Sequence, residues 1–415
     1  MAQVDNMHIF VNAGAMAHFS TGDLTQPLVG LQMSSSEQIH PPGFGFVVES
    51  GVFKKIAHSE EIMAEYGGVS KIHDFGGRSI IPGFVDAHTH LLWDGDRSNE
   101  IRMRQQGMSY AEIAAAGGGI RHTVSQTRGS ENLHRIGQER MGISLVHGTT
   151  SLEVKSGYGL DTESELRLLQ IYHDLHTECG TPRLYPTWMG AHDIPHGVNR
   201  GQYVEEILSD QLPAILDQGI ATAADVFCEP GWFTIEDTEE ICKEAAKGGL
   251  TLRLHVDEFT DGGGLELAAE LGAVTADHAI HSSDDARAAA AEAGTLQGFL
   301  PGTPYVMGSD AWPPIQQCID EEWPWTLATD FNPNCQSLSI PMAGSLVTHR
   351  LRIDPIASLA AVTRNAACGL NNTDRPQGVI AEGAIANFNE LKSTLVESWC
   401  QSPGHSPIEN TWVCE

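Results

Sequence analysis

From Ile80 onward, short apolar runs alternate with longer segments in which apolar residues recur at helical spacing. That is the pattern of β/α units around a parallel sheet. Eight runs read as strands, centred near 83–89, 146–153, 184–189, 223–228, 251–256, 273–278, 296–300 and 325–329. Eight strands with intervening helices over about 300 residues fit a (β/α)8 barrel. Two helices are well marked. In DTESELRLLQIYHDLHTECG, Asp161 is placed to cap the start, Leu168, Ile171, Tyr172 and Leu175 share one face, and Gly180 supplies a stop. In GGGLELAAELG, Leu265, Ala268 and Ala269 line one face and Gly272 ends the element.

The first 80 residues have a different texture, β-rich and irregular, with short apolar pieces such as Phe44–Val48 between Gly, Pro and Ser clusters. The weakly patterned stretch Gln26–Gly43 is expected to be a loop. Composition narrows the function classes. With 24 Lys plus Arg against 54 Asp plus Glu, the formal charge is −30. A surface that negative repels phosphates and anionic headgroups, which argues against nucleic-acid and membrane partners. Only seven of the basic residues are Lys, a balance suited to a salty medium and equally to ordinary acidic solubility. The eight Cys, at 179, 228, 242, 318, 335, 368, 400 and 414, stand singly, so neither a disulfide framework nor a thiolate zinc knuckle is expected. The start lacks a basic region followed by a signal-type apolar run, and no apolar stretch approaches the roughly 18 residues needed to cross a bilayer. The expectation is a cytoplasmic protein.

The sharpest chemical signal is IIPGFVDAHTHLLW. His88 and His90 are two apart at the end of an apolar strand, so both imidazoles project from one face. On a barrel strand that face is the interior, at the C-terminal mouth where active sites sit. Two neutral imidazoles so placed make half of a zinc or iron site. Further metal-type residues end other apolar runs: His255 in LTLRLHVDEF, His278 in AVTADH and Asp330 in WTLATDFNP. Each alone reads as a core histidine or a capping aspartate; together with HxH at the ends of separate strands they point to one site.

PGFVDAHTH followed by strand-end His, His and Asp resembles the amidohydrolase superfamily, metal-dependent hydrolases built on a distorted (β/α)8 barrel. Within it, the chain is similar to the imidazolonepropionase family. The matching text runs in order through DAHTHLLWDGDR, GMSYAEIAAAGGGI, GTTSLEVKSGYGL, GAHDIP, ADVFCE, HVDEF, TADH, LPGTPY and LATDFNP, over about residues 80–370. SGYGL and TDFNP are narrower signatures than HxH.

The resemblance implies residue roles. His88, His90, His255 and Asp330 would hold one divalent metal, zinc or iron, which activates a water molecule. Asp330 would take that water's proton and pass it to the leaving nitrogen, and His278 would polarise the ring carbonyl. Glu258 would hydrogen-bond the ring or the water; its plain alternative is a solvated loop carboxylate. The implied substrate is 4-imidazolone-5-propanoate, opened to N-formimidoyl-L-glutamate, and its carboxylate calls for a cation. Arg97 in DGDR is the candidate, set against a salt bridge within DGDR. Tyr158 and His192 would add hydrogen bonds, and Lys155 is as readily a partner for Glu153 as a second cation. Asn332 would bind the amino-acid end. Beyond it, Asn334-Cys335 replaces the family's Gly followed by Ser or Thr, so altered affinity is expected at these two binding positions. Asn tolerates the positive φ that a Gly there would use.

The resemblance also implies a small β-sandwich closed from the chain ends, with residues 1–80 and 376–415 flanking a barrel at 81–375, and a homodimer. GAIANFNEL carries Asn387 where the family has Asp, and Gln26–Gly43 looks inserted. Two other readings stand beside the leading one: another cyclic amidohydrolase or heterocycle deaminase, and a noncatalytic metal-binding barrel. SGYGL, DGDR and DFNP disfavour the first, and the presence of Asp330 and His278 disfavours the second.

Overall fold

Eight parallel strands follow one another around a single sheet in chain order: β1 (Phe84–Asp86), β2 (Thr149–Lys155), β3 (Arg183–Ala191), β4 (Ala223–Cys228), β5 (Thr251–Val256), β6 (Thr275–His278), β7 (Leu296–Phe299) and β8 (Trp325–Leu327). All eight runs read from the apolar pattern are strands. The computed structural model describes every residue except 1–6, 69, 70, 109–111, 114, 115, 179, 371–374 and 415. Cys179 and part of GMSYAEIAAAGGGI therefore lie outside the described residues; the other seven cysteines carry free thiols.

The barrel closes at its mouth. Thr89 bridges Phe331, His90 N–H donates to Phe331 O at 2.8 Å, and Asp330 N–H donates to His88 O at 3.2 Å. Deeper down, Thr329 donates its N–H and hydroxyl to the two oxygens of Asp86, at 3.0 and 2.6 Å. Helices cover the outside, which is why β2 and β4 are buried throughout and read as runs rather than alternations. The interior carries an ionic layer instead of the usual branched aliphatics. Lys155 Nζ sits between Glu153 Oε1 at 3.0 Å and Asp225 Oδ2 at 2.8 Å, with Arg253 and Asp277 beside them.

Two small sheets built from the chain ends pack against the barrel. One has four strands, ordered Val52–His58, Phe44–Glu49, His8–Val11 and Ile72–Asp74. The other has five, ordered Ile408–Trp412, Phe388–Leu391, Ile80–Pro82, Met16–Ala17 and Ile39–His40, so both ends of the chain share it. Phe388 joins the two, edge-on to Phe10 at 5.1 Å and to Phe46 at 4.8 Å between ring centres. Asn387 is buried and its side-chain oxygen accepts the Cys414 N–H at 2.7 Å.

Two local expectations are revised. The helix Thr162–His176 begins as expected, with Asp161 accepting the Ser164 N–H, but it ends before Gly180. Thr177 closes it, donating its hydroxyl to Asp174 O at 2.7 Å. Gln26–Gly43 is more ordered than a loop, with short 3-10 turns at Gly30–Ser34 and Ser36–Gln38 and a strand at Ile39–His40. Its anchor is distant in sequence: Asn365 accepts from Leu28 N at 2.8 Å and donates to Leu28 O at 2.9 Å.

Candidate active site and metal centre

The residues ending β1, β5, β6 and β8 converge on one pocket at the barrel mouth, lined by His90, His255, His278 and Asp330 among others. His88 and His90 follow β1 with Thr89 turned the other way, its hydroxyl on Glu153 O at 2.6 Å, as period two requires. Several of these residues sit in left-handed backbone despite carrying side chains: Asp257 at φ 48°, His278 at 69°, Ala279 at 47° and Asp330 at 50°. Such conformations cost of order 1–3 kcal/mol each and concentrate where geometry is functional. Asn334 does not share them, so its turn makes no demand for glycine.

Buried carboxylates orient the imidazoles. His88 Nδ1 donates to Asp277 Oδ2 at 2.7 Å, and His255 Nδ1 stands 3.0 Å from both oxygens of Asp225. Carboxylates only accept, so the proton sits on Nδ1 and the Nε2 lone pair faces the pocket. Nε2 of His88 is buried and has no hydrogen-bond partner within the protein. It lies 3.6 Å from Asp330 Oδ1, and His90 Nε2 lies 3.8 Å from the same oxygen. Donor atoms of His88, His90 and Asp330 fall within 4.8 Å of one another, as do those of His88, His255 and His278. An orphaned imidazole nitrogen facing nitrogen and carboxylate donors fits a divalent cation.

Charge is tuned by burial. Desolvation, helped by Lys155 and neighbouring imidazoles, pushes His88 well below the usual histidine range, and desolvation does the same to His90 and His278. These rings are neutral at pH 7 and can act as ligands. Burial raises Asp330, and burial with the nearby Asp330 and Glu229 charges holds Glu258 well above the ordinary carboxyl range. Burial would raise Asp225 too, but His255 and Lys155 outweigh it and keep that carboxyl ionised.

The remaining candidates divide. Glu258 Oε2 stands 3.7 Å from His278 Nε2. Tyr158 and His192 line the pocket; His192 stacks on His90 at 4.9 Å, and its Nδ1 donates to Gly157 O at 2.8 Å. Burial lowers His192 to about 3, so it is a neutral ring. Arg97 also lines the pocket and is buried, with Nε and Nη2 bound bidentately to Glu100 at 2.7 and 2.8 Å. Asn332 lines it as well, yet its side-chain oxygen accepts the N–H groups of Asn334 and Cys335 at 2.7 and 3.0 Å. Asn334 is brought to the pocket; the Cys335 thiol is not. It faces a neighbouring cavity beside Gly302 and Thr329, and burial raises it to about 12.

Sequence reasoning passed over several participants. Thr303, inside LPGTPY, donates its hydroxyl to Asp330 Oδ2. Glu229, the last residue of ADVFCE, accepts the Glu258 N–H at 2.9 Å and the Thr260 N–H at 3.0 Å, shaping the loop that presents Glu258. Asp225, a lone carboxylate in the apolar run AADVFC, and Asp277, next to His278, carry the one sequence signal for this role: a charge inside a buried strand needs a partner.

No protein-family model matches the chain. Curated relatives do. An imidazolonepropionase of Haloarcula marismortui is 39% identical over 81% of this chain and 80% of its own length. That of Halobacterium salinarum is 37% identical over 90% of each, and that of Symbiobacterium thermophilum 36% over 91% and 89%. Among solved structures, the guanine deaminase of C. acetobutylicum superposes with a TM-score of 0.68 at 14% identity, covering 99% of each chain. The 5-methylcytosine deaminase of Klebsiella pneumoniae gives 0.69 at 17%, over 97% of this chain and 96% of its own. These identities speak for the fold alone: a (β/α)8 barrel with small terminal sheets. The curated relatives, 39%, 37% and 36% identical over four-fifths or more of the chain, settle the narrower membership: the chain belongs to the imidazolonepropionase family.

Proposed function

We propose that this chain hydrolyses 4-imidazolone-5-propanoate to N-formimidoyl-L-glutamate, a step of histidine degradation. The observation that supports the reading most is the clustering of donor atoms of His88, His90 and Asp330, and of His88, His255 and His278, at a pocket lined by His90, His255, His278, Asp330 and Glu258. A divalent cation in this N3O set, zinc or iron, would lower the pKa of a water molecule to about 7 and so supply hydroxide at neutral pH. Asp330 accepts the proton of the attacking water while Thr303 holds its second oxygen. His278 faces the ring carbonyl and stabilises the charge that develops on its oxygen. The bond from carbonyl carbon to ring nitrogen breaks, Asp330 returns the proton to that nitrogen, and the carbonyl carbon stays in the opened product as a carboxyl group that releases the water's second proton to solvent. Glu258, its carboxyl raised by burial and by the nearby Asp330 and Glu229 charges, hydrogen-bonds the ring or the attacking water. Arg97, Tyr158, His192 and Asn332 form the wall that receives the propanoate and orients the ring.

Incubating metal-loaded protein with imidazolonepropanoate should consume its ultraviolet absorbance and yield formimidoylglutamate. Absence of turnover, or ammonia release from a heterocycle panel instead, overturns the reading. Metal analysis of the purified protein separates zinc from iron. The reading extends to a cytoplasmic homodimer, which sedimentation checks for its oligomeric part. Among the described residues no helix is long and apolar enough to cross a membrane.

A further inference from the structure

Among the described residues lining the pocket, Arg97 is the one Lys or Arg. Its Nε and Nη2 hold Glu100, which is 1% exposed. A guanidinium and a carboxylate joined this way are neutral as a unit. A propanoate arriving beside a neutral pair, in a chain of net charge −30, would meet no positive excess there. Arg104, one helical turn beyond Glu100 in the helix Glu100–Gln105, changes the balance. Its Nη1 stands 3.9 Å from Glu100 Oε2 and donates to the side-chain oxygen of Asn334. Two guanidinium groups then share one carboxylate, which leaves one net positive charge on this side of the pocket.

Asn334 is held for that task. Its Nδ2 lies 3.3 Å from Met307 Sδ and its backbone N–H donates to Asn332 Oδ1 at 2.7 Å, so its oxygen is turned to the arginine. A glycine, which the family resemblance places here, has no side chain with which to fasten Arg104.

We propose that Arg104, tethered by Asn334, is a specificity-determining residue that supplies the net positive charge selecting a carboxylate-bearing substrate over its neutral counterpart. The inference rests on the hydrolase reading above. Arg104 acts through Arg97 and Asn334, the groups that line the pocket, and is a positioning residue.

The test compares metal-loaded wild type with Arg104→Gln, Arg104→Lys and Asn334→Gly on imidazolonepropanoate and on the corresponding propanamide. Arg104→Gln should raise KM for the propanoate about tenfold and leave kcat within about twofold, with the propanamide unaffected. Arg104→Lys keeps the charge and should stay near wild type. Asn334→Gly keeps both arginines but frees one, and should raise KM about threefold. An unchanged KM in Arg104→Gln, or an equal rise for the neutral amide, overturns the proposal. Should Arg104→Gln fail to fold, an unchanged KM in Asn334→Gly overturns it instead. Wild type without turnover would contradict the hydrolase reading; calorimetric binding of imidazolepropanoate, weaker in Arg104→Gln than in wild type, then still decides the question of charge.

Discussion

His255 is gripped by Asp225 through both carboxylate oxygens, each 3.0 Å from Nδ1, and the same carboxylate receives Lys155 Nζ at 2.8 Å. The pair comes from neighbouring strands, β5 and β4, while Lys155 reaches across from β2. The ionic layer in the barrel interior therefore sets the orientation of His255, a proposed metal ligand.

Asp225→Asn should weaken metal binding about 10–100-fold, because an amide lets the imidazole choose the wrong tautomer and lowers its basicity. Chelator competition followed by metal analysis measures this without reference to turnover. An affinity equal to wild type would remove Asp225 from any role at the metal.

Asp330 has its two oxygens sorted, Oδ2 to Thr303 and Oδ1 toward His88 and His90. Asp330→Ala should lower kcat by about a thousandfold or more, as loss of a proton-transferring group does. Thr303→Val should lower kcat while Thr303→Ser restores most of it. Full activity in Thr303→Val would show that the second oxygen needs no holding.

The terminal sheets carry a pH dependence of their own. Burial, aided by His40 stacked at 4.2 Å, lowers His18 to about 4 from an ordinary 6.5. Above pH 6.5 the ring is neutral in both folded and unfolded chains and contributes no slope. As pH falls from 6.5 to 4 the unfolded chain binds the proton first, so stability declines, by roughly 3 kcal/mol from this residue. Urea unfolding at pH 7 and at pH 4.5 should show a smaller decline in His18→Gln than in wild type. Parallel declines in the two proteins would contradict this assignment.

Net charge of −30 makes the folded state repel itself. Raising sodium chloride from about 0.2 M to about 2 M shortens the screening length below 3 Å and should raise Tm by several degrees. A Tm that falls over this range would mean that attractive ion pairs outweigh the repulsion.

What the sequence made legible follows from periodicity. Eight apolar runs marked the barrel strands, and a two-residue spacing placed His88 and His90 on one face. Pairings between distant positions were not legible, because alternation marks the side a residue faces and leaves its partner unspecified. Asp277 with His88 and Asp225 with His255 meet only once the sheet has closed. Arg97 is the opposite case: its partner Glu100 is only three residues away, just outside the DGDR stretch within which a salt bridge was the alternative. Gln26–Gly43 looked like a loop because the groups that order it, Asn365 and Arg364, come from the other end of the chain.

Four side chains, those of His88, His90, His255 and Asp330, are expected to surround one cation. A crystal of metal-loaded protein, with data collected at the metal's absorption edge, tests it directly. The account predicts one anomalous peak per chain, about 2.0–2.2 Å from imidazole nitrogens of His88, His90 and His255 and from an oxygen of Asp330. A peak that excludes His255 or Asp330, or a second peak bridged through Lys155, would contradict it.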